Sequence, residues 1–159
     1  MHRVVAGFAA AAALSAAATA AQAAEGLINK DGMTGPEVAA WLQAAGYKAQ
    51  LDKDSVGDPM IKSSTDGIKF TVYFYDCVKG RCRSIQFSTG FDLDKGLTLE
   101  KTNEWNRKNR YLKAFLDDEN DPYVQYDVNL NAGRTFSGLD DDFAVWTNIL
   151  PEFAKYIDW

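Results

Sequence analysis

Two cysteines, Cys77 and Cys82, stand between two alternating segments, and this arrangement constrains the fold more than any other part of the chain. Ile68 to Asp76 and Arg83 to Phe91 both alternate apolar with polar residues, the period-two pattern of strands with one buried face. A hairpin that sets Cys77 against Cys82 also sets Phe74 against Ile85 and Val72 against Phe87, which gathers the large apolar residues on one face. On the opposite face Tyr75 meets Ser84, Tyr73 meets Gln86, and the cysteines meet each other. The pair therefore reads as a disulfide at the hairpin end, and closing so short a loop is worth about 2 kcal/mol in the loop-entropy model. A free or redox-active pair is the alternative.

The N-terminus says where such a bond would form. His2 and Arg3 precede an apolar run from Val4 to Ala18 and then Ala21-Gln22-Ala23, the three-part form of a secretory signal peptide over residues 1–23. The run is too short and alanine-rich for a bilayer-spanning helix of about 20 strongly apolar residues, and no later stretch approaches that length. The expectation is a mature protein from Ala24, periplasmic or secreted, without a membrane span, in a compartment where disulfides persist. Cleavage also removes the one histidine of the chain. Ser-His-Asp and Cys-His catalysis go with it, as do histidine metal sites, and zinc on the cysteine pair would lack its two further ligands.

Loss of Arg3 leaves 16 basic against 22 acidic residues, and the basic ones are scattered. Nucleic acid is not expected as a partner. Three acidic clusters fail as calcium loops. Asp52 to Gly57 has Val56 where a ligand belongs, Asp117 to Asp121 is followed by Pro122 where glycine belongs, and Asp140 to Asp142 reads as the start of a helix. No cofactor, no metal site and no catalytic residue is expected.

One domain, residues 34–159, follows a polar leader, residues 24–33, expected to be flexible. Thr34-Gly35-Pro36-Glu37 is a capping box that opens a helix to Ala45, with Val38, Trp41 and Leu42 on its apolar face. Strands follow at Tyr47–Leu51 and Met60–Ser64, then the cysteine hairpin, a helix from Thr98 to Arg110, and a second hairpin from Tyr111–Asp117 and Tyr123–Leu130. In the last helix Leu139, Phe143, Trp146, Leu150, Phe153 and Ile157 recur in steps of four and three. Ser137 with Asp140 is the expected cap, and Pro151 predicts a kink or break near Leu150. The order α-β-β-β-β-α-β-β-α gives an α+β fold, an antiparallel sheet flanked by helices.

The middle helix lacks a convincing apolar face. Asn103 and Asn106 share one side of it and read as structural clamps that hydrogen-bond strand ends, or as ligand contacts, because an unsatisfied buried amide costs about 1 to 3 kcal/mol. With Asn103-Glu104-Trp105-Asn106-Arg107, then Tyr111 to Asp117, and Tyr126-Asp127 ahead of Gly133, the chain resembles the YbjN domain family of bacterial sensory transduction regulators. The resemblance covers roughly Gly35 to Ile157. It implies a fold like that of type III secretion chaperones and no established catalytic activity. The functional expectation is an exported, non-enzymatic binding or regulatory module of the cell envelope. It would hold an unknown protein partner or a second copy of itself through Tyr73, Tyr75 and Gln86 on the polar face of the hairpin. The alternative is a small envelope hydrolase using a carboxylate pair such as Glu104 with Asp127.

Overall fold

The computed structural model describes residues 26–159, so the expected signal peptide lies outside the described residues. In chain order the elements are β1 (Met33–Thr34), α1 (Gly35–Ala44), β2 (Gln50–Lys53), β3 (Pro59–Thr65), β4 (Ile68–Val78), β5 (Arg81–Gly90), α2 (Leu99–Lys108), β6 (Lys113–Leu116), β7 (Pro122–Asn129) and α3 (Phe136–Tyr156). The strands form one antiparallel sheet in the order β2-β3-β4-β5-β7-β6, with β1 paired to β5 beyond the end of β7. The expected α+β order is present, preceded by one short strand.

The central hairpin has the register that its alternation requires: Val72 faces Phe87, Phe74 faces Ile85, Tyr73 faces Gln86, Tyr75 faces Ser84 and Cys77 faces Cys82. The cysteine sulfurs are 2.10 Å apart, at bonding distance. At the hairpin end the alternation fails. Asp76 takes a left-handed backbone (φ 53°), and Cys82, expected on the polar face, is fully buried beside Met33 of β1.

The apolar side of the sheet carries the core. Each residue of the stripe on α3, from Leu139 through Ile157, is buried. Trp146 stacks on Phe87 with centroids 5.7 Å apart and meets Phe70 edge-on, and α1 joins through Trp41 against Phe143. Trp41 also donates its indole N–H to Asp140. The cap of α3 differs from the expected one. Thr135, not Ser137, accepts the Gly138 amide, which leaves Asp140 free for Trp41 and Asp142 free for the Tyr126 hydroxyl and Arg134. The helix runs through Pro151 without a break, because Leu150 and Phe153 on either side of it are both fully buried and hold the turn against the sheet.

Residues 26–33 lie against the domain. The Ile28 amide donates to Arg134, Phe136 donates to Gly26, and Ile28 and Met33 are buried. Gly32, at φ 91°, lets the chain pass so close to β5 that a Cβ there would lie 1.9 Å from the Cys82 carbonyl oxygen. Arg81 fastens this crossing: it donates to the Gly32 carbonyl and, with both terminal nitrogens, to Glu37, the acid of the α1 capping box. None of these partners is local in sequence.

The two outer hairpins turn on the same loop. Asp54-Ser55-Val56-Gly57-Asp58-Pro59 joins β2 to β3, and Asp117-Asp118-Glu119-Asn120-Asp121-Pro122 joins β6 to β7. In each, the first Asp carboxylate accepts two backbone amides, from Val56 and Asp58 or from Glu119 and Asp121, and the fourth residue has positive φ. These carboxylates are thus engaged in building turns.

Candidate functional site

The side of the sheet turned away from the core is a candidate binding face, and the strand register builds it row by row. Tyr75, Ser84 and Asn129 align across β4, β5 and β7. The next row is Met60, Tyr73, Gln86 and Asp127, and the next Lys62, Thr71, Ser88, Gln125 and Lys113. All of these side chains but Met60 carry a polar group. Helices α1 and α3 pack on the opposite side, and α2 reaches the sheet through the outer edge of β6.

Tyr75 is 46 % exposed and Tyr73 is half-buried, but Gln86, expected to share their exposure, is 7 % exposed. The cause is strand order: β5 lies between β4 and β7, so Gln86 is walled in on both sides. Its amide joins the neighbours. The Tyr75 hydroxyl donates to Gln86 Oε1 at 3.3 Å, and Gln86 Nε2 donates to Asp127 Oδ1 at 2.7 Å. Burial pushes the Tyr75 phenol above its ordinary range, and the negative charge of Asp127 adds to this, so Tyr75 stays a protonated donor. A fixed network of this kind presents an aromatic, hydrogen-bonding surface with little side-chain entropy left to lose.

The two asparagines of α2 differ. Asn106 Nδ2 donates to the Ala114 carbonyl at 2.9 Å while its Oδ1 accepts the Ala114 amide at 2.8 Å, so one side chain caps the outer edge of β6 as a strand partner would. Asn103 is exposed and makes no such bond among the described residues, because the docking of Trp105 against Phe153 and Tyr156 turns the helix away from that position. Trp105 with Thr102 supplies the burial, and Asn106 supplies the direction.

Glu104 and Asp127 are not brought together. Glu104 accepts from Lys108 and from the Tyr156 hydroxyl at the end of α3, whereas Asp127 lies on the open face against Gln86. The hydrogen bonds from Lys108 and Tyr156 hold the Glu104 carboxyl below the usual carboxylate range, the reverse of what a general acid requires. Among the described residues no three His, Cys, Asp or Glu side chains gather for a metal ion.

The alternation singles out Tyr73 and Tyr75, but the same parity puts Lys69 and Thr71 beside them on β4. Lys62 joins this surface only through the pairing of β3 with β4, which sequence periodicity does not reveal.

No helix among the described residues is long and apolar enough to cross a membrane. No curated protein and no solved structure matches the chain, so the implied likeness to type III secretion chaperones carries no further weight. One family model does match, over residues 36–159, from the first turn of α1 to Trp159 and so across the whole open face; its description is "Putative bacterial sensory transduction regulator". The chain belongs to the YbjN family.

Proposed function

We propose that this protein is an exported, non-enzymatic regulatory module of the bacterial cell envelope that binds a protein partner through the open face of its sheet. The observation that carries the reading is the pair Tyr73 and Tyr75 on a face that no helix among the described residues covers, with the Tyr75 hydroxyl fixed by the buried Gln86. Exposed tyrosines on a rigid floor are the side chains that protein interfaces favour. The polar groups here bond to one another, Tyr75 to Gln86 and Gln86 to Asp127, which suits a binding surface better than a reacting centre. Export is supported by the signal-like residues 1–23 and by a cysteine pair at bonding distance, a feature of oxidising compartments. A family described as sensory regulators fits a protein that works by holding another.

The test is affinity capture from envelope extract with the parent and with the Tyr73→Ser/Tyr75→Ser variant, both checked for unchanged folding. The reading expects a partner held by the parent and lost by the variant. Identical captured proteins for both would overturn it, as would capture of nothing but a second copy of the chain.

A further inference from the structure

We infer that the partner docks through an acidic, extended segment laid in a lysine-rimmed trough on this same face; the inference rests on the open face being the partner surface. The trough encloses about 610 Å³ beside Tyr73. Its rim carries Lys48, Lys62 and Lys69, and no carboxylate among the described residues lines it. In a chain of net charge −5 this is a local reversal of sign. Lys62 is held by Asp52 at 2.8 Å, while Lys48 and Lys69 pair with no carboxylate among the described residues, so two positive charges are available to a ligand.

The floor and walls suit a chain of atoms better than a compact molecule. Thr71 and Ser88 face each other across the floor and offer hydroxyl groups, with Tyr73 on one side and Tyr123 on the other. Tyr123 lies against Gly90, where an added Cβ would meet the ring at 2.5 Å, and its outer face stacks on Phe115 with centroids 5.5 Å apart. Glycine at that position lowers the floor so that the ring becomes a wall. A small molecule is normally engulfed in a largely apolar cavity. This trough is open along its top and rimmed by lysines, the form that accepts a segment crossing it, and its charge selects carboxylates.

Fluorescence anisotropy with labelled hexaglutamate, hexaglutamine and an oligogalacturonate of equal charge tests the inference on the purified protein. Hexaglutamate should bind, hexaglutamine should not, and added salt should weaken the complex. Lys48→Gln/Lys69→Gln should weaken it about fivefold, the effect of two exposed ion pairs. The charge-matched control Lys95→Gln/Lys155→Gln, away from the trough, should leave it unchanged. No binding of hexaglutamate, equal loss in the control, or equal affinity for the oligogalacturonate would overturn the acidic-peptide assignment. The two readings separate in the capture assay. If the lysine variant keeps a partner that the tyrosine variant loses, the acidic segment is wrong and the partner surface stands; if both variants keep it, both are wrong.

Discussion

The two faces of this sheet come from the same strands, yet one secures the fold and the other is left to function. On the covered face Phe87 and Phe70 lie beneath Trp146, and α3 and α1 close that face together. On the other, Tyr73 and Tyr75 alternate with those core residues along the hairpin, and no helix among the described residues packs on them. Residues one position apart therefore differ in what their loss should cost: burial and close packing on one side, surface chemistry on the other.

The largest expected effect breaks the covered face. Trp146→Ala should lower stability by about 3 to 5 kcal/mol, because it removes a fully buried ring and leaves a cavity against Phe87 and Phe70. Chemical denaturation would show it. A loss under about 1 kcal/mol would mean that the two faces are not energetically distinct.

The edge between the faces is next. Asn106→Ala removes two hydrogen bonds to the Ala114 backbone and should cost about 1 to 3 kcal/mol, whereas Asn103→Ala, which removes no such bond among the described residues, should stay within about 0.5 kcal/mol. Equal midpoints for the two variants would refute the edge clamp. The far end of the hairpin gives a third test. Unreduced protein should take up no thiol label, and reduction should lower stability by about 2 kcal/mol without changing partner capture.

The smallest stability effect concerns pH. Burial alone would raise the Glu37 carboxyl, but the hydrogen bonds from Arg81 and Thr34 and the charge of Arg81 outweigh it, so the folded value lies below 4.5. A depressed carboxylate contributes stability above its unfolded value and loses it as pH falls through the folded one. Denaturation midpoints measured from about pH 6 down to about pH 3 should therefore fall more for the parent than for Glu37→Gln, by less than about 1 kcal/mol because the pair is partly exposed. Parallel curves would remove Arg81 and Glu37 from the account.

What was legible in the sequence follows from how local each cause is. The hairpin register and the stripe on α3 are periodic, and a period is visible without knowing any neighbour. Cys82, Gln86, Gly32 and Met33 depend on pairings made far along the chain: Met33 beside Cys82, β7 beside Gln86, Arg81 on Gly32. Their burial could not be read from alternation alone. Asn103 and Asn106 look equivalent in sequence and are separated only by how Trp105 seats the helix. The repeated Asp-Pro loops were legible in principle, since both carry the same spacing of Asp, a left-handed residue and Pro, and together they mark the two outer hairpins of the sheet.

The measurement that tests the central claim most directly is site-specific photo-crosslinking in envelope extract. A benzophenone side chain is placed at Tyr75 on the open face in one protein and at Glu152, exposed on the outer surface of α3, in another. The account predicts one discrete crosslinked partner from the Tyr75 position and none from Glu152. A partner captured from Glu152 and absent from Tyr75 would contradict it and move function to the helical layer.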